Sequence, residues 1–355
     1  MENVLNNRFF ASANSQNGFV SFFPKIFNPL LLDRIYIIKG GPGTGKSGLM
    51  KTLSAIAKEK GYTVEEFLCS SDPSSLDGII IKEKGLAFLD GTAPHTTDPL
   101  YPGVVENIIN TGSFWNSEIL MEKKESVISL IQRKNRAYRR AYHFLKAGGE
   151  IRYELERIGC LAFNQDKFED FFTRLVKNIR PEDKEYKEEI RLISAINQKG
   201  LIKLDSFEAA STKVFRILDV LGTGSILLER LLNHAREKQI SVTVSYSCFN
   251  TNKLDALYFP NQSLTFCITD REENPEDEKK LYRYINMSRF VIKETIKENK
   301  QKIKFGKKCY ETVLEGAIEA FADAGETHSE LEKIFISAMD FASFNKMLKE
   351  YEDLI

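Results

Sequence analysis

Cysteine is sparse in this sequence and forms no pattern that would bind zinc. The five cysteines are scattered along 355 residues, and no two of them form a Cys-x-x-Cys pair. An odd and dispersed set of cysteines offers no zinc framework and suits a reducing compartment. The N-terminal residues also lack a basic stretch followed by an apolar block, so we expect no secretory signal and a cytoplasmic protein.

The chain also lacks an excess of charge of either sign and any long hydrophobic run. Fifty Lys and Arg residues balance 50 Asp and Glu residues, which argues against the strongly basic surface of a dedicated nucleic-acid binder. No apolar run approaches the roughly 18 residues that a membrane-spanning helix needs. We therefore expect no membrane partner, and the length allows about two domains.

A faint internal repeat organises the chain. A shift of 178 positions aligns residues 43–90 with 221–268 without a gap and leaves eleven identical pairs. A shift of 176 positions then aligns residues 154–158 with 330–334, where five consecutive residues are identical or similar. The repeat predicts two copies of one unit.

Each copy begins with an α/β pattern and continues as helices. In the first copy, β-rich runs at 34–38, 64–69 and 85–90 flank a helical periodicity at 47–60, a rhythm that indicates a parallel sheet with crossover helices. An amphipathic pattern follows, and Gly148-Gly149 is expected to interrupt its helix. The sequence thus predicts an α/β protein of two tandem repeats, with parallel sheets flanked by helices and a helical appendage on each repeat.

The predicted boundaries divide the chain into two units and a connector. The first unit spans residues 1–180, with an α/β part at 30–100 and a helical part at 117–179. A charged connector, in part helical, is expected at 181–210. The second unit spans 211–355, with an α/β part at 211–270 and a helical part at 276–355.

The strongest functional signal is a complete phosphate-binding motif. Its eight residues match G-x-x-x-x-G-K-[ST] and lie between a predicted strand and a predicted helix. Glycines let successive N–H groups point inward as an anion nest, and the start of the following helix adds its positive dipole. Lys46 would reach the β- and γ-phosphates, and the Ser47 hydroxyl would ligate Mg²⁺. The motif residues are Gly40, Gly41, Pro42, Gly43, Thr44, Gly45, Lys46 and Ser47.

Asp90 ends the third predicted strand, which is where a Walker B aspartate would hold Mg²⁺. The alternative is a carboxylate that caps the following turn. The next residue is Gly91, whereas vigorous P-loop ATPases place a glutamate there to polarise water. This difference favours slow hydrolysis, or transfer of the phosphoryl group to something other than water.

Polar residues in two further loops are weaker candidates for catalysis. Asp72 and Asp77 follow the second predicted strand and His95 follows the third. Both loops lie beyond the carboxyl ends of strands, where open α/β sheets bind ligands. Asp72 or His95 would act as a general base or hold an acceptor; alternatively, these residues only shape the loops.

The second copy lacks the residues that would bind phosphate. In the ungapped alignment Gly45 becomes Thr223, Lys46 becomes Gly224 and Asp90 becomes Ile268. We expect a scaffold or regulatory unit, unless Asp270 replaces the lost aspartate. An N-K-x-D sequence at 252–255 resembles a guanine-reading motif, but it lies in this degenerate copy, so ATP is favoured over GTP.

The helical segment 123–146 is rich in basic residues. Three interpretations remain open: a solvated face, a contact with a polyanion or a protein, or an arginine, with Arg140 as the candidate, that reaches a γ-phosphate. The basic residues are Lys123, Lys124, Arg133, Lys134, Arg136, Arg139, Arg140 and Lys146.

Together, the segments 33–47, 69–77 and 90–95 resemble an uncharacterised family of tandem P-loop ATPases that is common in spore-forming bacteria. The aromatic start at 9–14 and the segment 101–105 fit the same resemblance. Typical members carry a P-loop in both copies, and this chain departs from them in the second. The resemblance implies ATP and Mg²⁺ as cofactors but no particular substrate.

These observations support three hypotheses for function. The first is an ATPase with one functional and one degenerate nucleotide site. The second is a small-molecule kinase, and the third is a non-enzymatic switch that responds to ATP. An oligomer is compatible with all three.

Overall fold

The computed structural model describes residues 7–181, 185–269 and 281–355, and shows an α/β protein with two six-stranded mixed sheets flanked by helices. The strands are β1 (Arg8–Phe10), β2 (Ser12–Ser15), β3 (Gly18–Ser21), β4 (Arg34–Lys39), β5 (Val64–Leu68), β6 (Leu76–Ile81), β7 (Leu86–Asp90), β8 (Glu106–Asn110), β9 (Glu188–Ile190), β10 (Ser194–Asn197), β11 (Gly200–Lys203), β12 (Lys213–Leu218), β13 (Val242–Tyr246), β14 (Leu254–Phe259), β15 (Leu264–Thr269) and β16 (Leu281–Asn286). The α-helices are α1 (Phe23–Ile26), α2 (Lys46–Glu59), α3 (Ser117–Glu122), α4 (Lys124–Ala162), α5 (Gln165–Leu175), α6 (Ser206–Ala209), α7 (Thr223–Glu237), α8 (Lys293–Glu298), α9 (Lys300–Ser337) and α10 (Phe341–Glu352).

The two sheets have the same strand order, so the molecule consists of two repeated halves. The first sheet runs β1-β5-β6-β7-β4-β8, and the second runs β9-β13-β14-β15-β12-β16 when read from its equivalent edge. In each sheet the central β4 or β12 lies between two parallel neighbours. Parallel strands buried on both faces read as continuous apolar runs, which is why the sequence pattern located β4 and β7.

The prediction of parallel sheets is confirmed only in part, because one strand in each sheet runs against the others. β6 pairs antiparallel with both β5 and β7, and β14 does the same in the second sheet. The sequence analysis does not predict β6, because it takes residues 72–77 as a loop that follows the second strand. Gly78 is needed in the strand because a Cβ there would collide with the Phe27 ring.

The predicted connector at 181–210 is instead the start of the second half. β9 pairs with β13 in parallel, as β1 pairs with β5, and β10 and β11 form a hairpin like that of β2 and β3. The two hairpins meet: Asn14 Nδ2 donates to the Ile196 carbonyl oxygen at 2.9 Å. β9 lies at the edge of the second sheet, where its Glu188 and Glu189 are exposed.

The two long helices α4 and α9 pack together as an antiparallel pair. Tyr138 and Tyr142 of α4 both contact the Phe321 ring. The predicted break at Gly148-Gly149 is wrong, since α4 continues through both glycines. A Cβ at Gly149 would come within 2.5 Å of the Gln16 side chain in the first hairpin, so glycine is present for close packing rather than to end the helix.

The terminal helices are exchanged between the halves. α10, which ends the second half, packs on the first sheet, where Tyr351 meets the Tyr36 ring edge-on at 5.2 Å between centroids. α5, which ends the helical part of the first half, packs in the second core, where Phe168 meets Phe290 at 5.6 Å. Each sheet is therefore completed by a helix from the other half.

Two sequence predictions remain outside the described residues. The candidate Asp270 lies in the undescribed stretch 270–280, as does the start of the helical part predicted at 276–355. Within the described ranges, none of the helices combines the length and the apolar composition that crossing a membrane requires.

Candidate functional site

The predicted motif, residues 40–47, follows the carboxyl end of β4 and is here named the glycine loop; its last two residues, Lys46 and Ser47, begin α2. Gly43 has a φ of 69° and Gly45 a φ of 84°, conformations that favour glycine. Gly45 is the N-cap of α2, and its own carbonyl oxygen already accepts from the Leu49 N–H. Leu49, Met50 and Leu53 are fully buried against the sheet, and they anchor the helix whose N-terminus faces the loop.

Lys46 folds back over the glycine loop. Its Nζ donates to the Gly41 carbonyl oxygen at 2.7 Å and to that of Gly40 at 3.1 Å. The same nitrogen lies 3.5 Å from Asp90 Oδ2, and both side chains are largely buried. The structure therefore brings the lysine of the motif and the predicted acid together.

Asp90 ends β7 beside β4, paired in register with Ile38. Its Oδ1 accepts from the Thr92 N–H at 2.8 Å and from the Thr92 hydroxyl at 2.5 Å. Burial raises the pKa of Asp90 above its ordinary value, although Lys46 and the Thr92 donors oppose this. The carboxyl group thus caps a turn and also faces the lysine, so the two interpretations of Asp90 are compatible.

Ser47 lies in the first turn of α2, where its hydroxyl oxygen accepts from the Leu76 N–H at 3.0 Å. A hydroxyl oxygen has two lone pairs, so this bond leaves one for a further partner. Among the described residues, no three or more His, Cys, Asp or Glu side chains are grouped closely enough to hold a metal ion. Mg²⁺ commonly binds through one or two protein oxygens together with phosphate oxygens and water, and Ser47 and Asp90 suit that kind of site.

His95 is buried behind Asp90 and pairs with Asp77. His95 Nε2 lies 3.1 Å from Asp77 Oδ2, and both side chains are more than nine-tenths buried. The imidazole stacks on the Phe23 ring at 4.7 Å. Burial lowers the pKa of His95, but the Asp77 carboxylate, helped by Asp90, raises it to a net value above the ordinary one. Asp77 reaches this point because β6 runs antiparallel and begins at the edge where β7 ends.

Asp72 shapes its own loop. Its carboxylate accepts from the Ser74 N–H at 3.1 Å and from the Ser74 and Ser75 hydroxyls. Burial raises the pKa of Asp72, but these hydrogen bonds outweigh it and leave the pKa below its ordinary value. The geometry corresponds to the alternative in which this residue builds a turn.

Arg140 does not reach the glycine loop through any described contact. It forms an ion pair with Asp323 of α9, and Arg133 of the same helix pairs with Glu330. Two of the eight basic residues at 123–146 are thus paired with acids on α9. Lys134 of the same helix is close enough to Lys46 for their charges to interact: burial lowers the pKa of Lys134, Glu332 opposes this shift, and Lys46 adds weakly to it.

The end of α9 forms a wall of the site that the sequence did not predict. A Cβ at Gly43 would come within 2.8 Å of Ile336 and 2.9 Å of the Glu332 carbonyl oxygen, and one at Gly45 within 2.8 Å of Phe344. Trp115, whose ring meets that of Phe335 at 5.5 Å, borders Gly41. The sequence signal that could have indicated this wall is the repeat of residues 154–158 at 330–334, because each of these two segments contacts the loop of the other half.

The second half has a shorter loop at the equivalent place. Only residues 219–222 separate β12 from α7, whereas residues 40–45 separate β4 from α2. Gly222, like Gly45, is a left-handed N-cap, and α7 begins one residue earlier than a shift of 178 positions from α2 would place it. Asp219 fills this loop: its carboxylate accepts from the Gly222 N–H at 2.9 Å and from the Gly224 N–H at 2.6 Å.

The N-K-x-D sequence has a structural role in the second half. Asp255 accepts from the Ser194 hydroxyl at 2.8 Å and lies 3.9 Å from Lys203 Nζ. These contacts hold the second hairpin against β14.

Comparisons with protein-family models, with curated proteins and with solved structures found no match for this chain.

Proposed function

We propose that the chain binds Mg·ATP at the glycine loop and hydrolyses it slowly, as a P-loop NTPase with one functional and one degenerate site. The observation that carries this proposal is the position of Lys46 Nζ, between the loop carbonyls and Asp90 Oδ2, at the N-terminus of α2. Loop N–H groups and a helix N-terminus favour an anion at this point. The lysine would then contact the β- and γ-phosphates.

The metal ion would be held by Ser47 and Asp90. Bound Mg²⁺ would neutralise charge on the phosphate oxygens. The hydroxyl of Ser47 would contact the metal directly, and Asp90 would act through water. The buried pair of His95 and Asp77 would hold Asp90 in place from behind and keep bulk water from its carboxylate.

Slow turnover follows from the residue after Asp90. A Cβ at Gly91 would collide with Ile37, so β7 has no room for a glutamate there to polarise water. Hydrolysis would then depend on charge neutralisation by Lys46, Lys134 and Mg²⁺.

A second candidate, an ATP-responsive switch without enzymatic activity, rests on the exchanged helices. Because α9 and α10 of the second half cover the glycine loop of the first, nucleotide at the loop would alter contacts between the halves. The degenerate loop, filled by Asp219, would serve as a fixed support.

Incubation with Mg²⁺ and γ-labelled ATP tests these functions, with Lys46→Ala as the control and with or without a small-molecule cell extract. Label in free phosphate that is lost in Lys46→Ala supports the ATPase. Label in a new compound that requires extract would instead indicate a kinase. Retention of nucleotide without turnover would favour the switch. Equal and negligible binding by both proteins would refute a nucleotide site.

A further inference from the structure

The helices α4 and α9 carry charges of opposite sign over much of the length along which they pack. Between residues 133 and 146, α4 has six basic residues and no acidic one, whereas α9 between residues 311 and 330 has six acidic residues and neither Lys nor Arg. We name the first set the basic stripe and the second the acidic stripe. The basic stripe is Arg133, Lys134, Arg136, Arg139, Arg140 and Lys146, and the acidic stripe is Glu311, Glu315, Glu319, Asp323, Glu326 and Glu330.

The two stripes lie beside each other because the helices are antiparallel. Arg133 pairs with Glu330 and Arg140 pairs with Asp323, so a step of seven residues forward along α4 matches a step of seven residues back along α9. This register brings the basic stripe level with the acidic stripe on one surface of the helix pair.

Most charges on the stripes have no ionic partner within the described part of the chain. Arg136 and Arg139 are exposed on α4, as are Glu319 and Glu326 on α9. Among the residues that the structure describes, none of these four forms an ion pair. They point outward because the opposite faces of the two helices are buried, at Ala137 and Ala141 in α4 and at Ala317, Ala320 and Ala324 in α9.

The basic stripe also offers apolar contact. A shallow cavity of about 450 Å³ within it is lined by Arg136, Arg139, Arg140, His143 and Phe144. The Phe144 ring lies against Gly316 of α9, where a Cβ would come within 3.0 Å of the ring. An opposing helix would therefore meet an aromatic ring and the aliphatic stems of arginines as well as positive charge.

A second copy of the chain matches this surface in charge. A rotation of 180° about an axis that runs over the groove between α4 and α9, parallel to both, places the second α4 on the first α9 and the second α9 on the first α4. The rotation leaves the level along the helices unchanged, so each basic stripe meets an acidic stripe. Rotation about an axis across the helices would instead place basic on basic, and like charges that face each other oppose association.

The size of the charged surface suits a weak dimer. The acidic stripe extends over about 20 residues, or about 30 Å of helix. With two helices side by side at about 10 Å each, the facing surface measures about 600 Å² per copy and about 1,200 Å² in total, the lower limit of a specific interface. We therefore expect a dissociation constant in the micromolar range.

We propose that the chain forms a symmetric dimer in which the basic stripe of each copy packs on the acidic stripe of the other. Two-fold symmetry uses the same patch of both copies, and it is the commonest symmetry of protein oligomers. The glycine loop takes no part in this contact, so the dimer is independent of the proposed nucleotide site.

Sedimentation equilibrium of the wild type tests for the dimer directly. At low salt the average mass should rise with protein concentration towards twice the mass of the chain. In about 1 M NaCl the Debye length falls to about 3 Å, from about 10 Å at 0.1 M, so the dimer should dissociate.

Charge reversal on each stripe tests the arrangement. One variant carries Arg136→Glu and Arg139→Glu, and the other carries Glu319→Lys and Glu326→Lys; all four side chains are exposed, so both variants should fold. Each variant alone should dimerise about ten- to a hundredfold more weakly, because every reversed charge acts twice across a two-fold axis. An equimolar mixture of the two variants should restore the dimer, since the two reversed stripes then face each other.

A control variant separates the arrangement from the change in net charge. Lys346→Glu with Lys349→Glu reverses two exposed lysines that are also three residues apart, but on α10. This control has the same net charge as the Arg136→Glu, Arg139→Glu variant and should dimerise as the wild type does. Thermal unfolding of each variant checks that it is folded.

Weaker dimerisation of both stripe variants, its recovery in their mixture and an unchanged control support the proposal. A wild type that stays monomeric at every concentration and at low salt overturns it, as does a dimer that neither stripe variant weakens or that their mixture does not restore. If the monomeric wild type instead binds a single-stranded oligonucleotide and the Arg136→Glu, Arg139→Glu variant does not, the basic stripe binds a polyanion and the dimer is refuted.

Discussion

Phe344 offers a test of the exchanged helices, because its effect on nucleotide binding should differ from that of its counterpart Phe168. Phe344 of α10 is 4% exposed and lies against Gly45 and the Phe114 ring. Phe168 of α5, at a shift of 176 positions, is fully buried in the core of the second half. Truncation of a buried phenylalanine to alanine typically costs about 3–5 kcal/mol, so both substitutions should be strongly destabilising.

The two variants should differ at the site. Phe344→Ala removes a wall of the glycine loop, so we expect weaker Mg·ATP binding and altered Trp115 emission. Phe168→Ala acts on the other half and should change neither property at temperatures where the protein remains folded. Urea unfolding gives the free energies, and titration calorimetry gives the affinities. If Phe168→Ala weakens nucleotide binding and Phe344→Ala does not, the conclusion that α10 completes the site on the first half is wrong.

Three further predictions follow from buried charges. Because the pKa of His95 is raised, its pair with Asp77 should stabilise the fold fully below the ordinary pKa of 6.5 and lose this effect as pH rises through the raised value. In urea unfolding, Asp77→Asn should therefore lower the free energy of unfolding more at about pH 6 than at about pH 9. An equal loss at both pH values would contradict the pairing. Arg191→Met should lower the free energy of unfolding by about 1.5–3 kcal/mol, because the buried Glu65 carboxylate loses the guanidinium at 2.8 Å and keeps only Lys82 at 3.0 Å as a charged partner. A loss below about 1 kcal/mol, the value for an exposed pair, would count against this. Asp219→Ala should lower the free energy of unfolding by about 1–2 kcal/mol, because it removes the acceptor of two N–H groups at the start of α7. If calorimetry then detects nucleotide binding at the second loop of this variant, Asp219 alone blocks that loop in the wild type.

Local patterns in the sequence located the elements around the glycine loop to within one or two residues. The predicted strand at 34–38 is β4 (Arg34–Lys39), and the predicted helix at 47–60 is α2 (Lys46–Glu59). These elements are recognisable because β-branched runs and helical periodicity reflect burial within one segment. The proximity of Lys46 and Asp90 then follows from two parallel strands that end at the same edge.

Long-range packing could not be read from the same patterns. Periodicity shows which face of α10 is apolar, but not which sheet that face covers, so the exchange of α5 and α10 was invisible. Gly149 carries the local signal of a helix break, although its reason is contact with Gln16, 133 residues away. Arg140 was chosen for its charge, while its partner Asp323 depends on the register between two long helices.

Equilibrium binding of Mg·ATP to the wild type and to Lys46→Ala tests the central claim most directly. Hydrogen bonds to charged groups contribute about 1.5–3 kcal/mol, so loss of the Lys46 ammonium group should weaken binding by about ten- to a hundredfold. Thermal unfolding of both free proteins checks that the variant remains folded. Binding that is lost or weakened to this extent in a folded Lys46→Ala protein agrees with a phosphate site at the glycine loop. Equal affinity of the two proteins would contradict it.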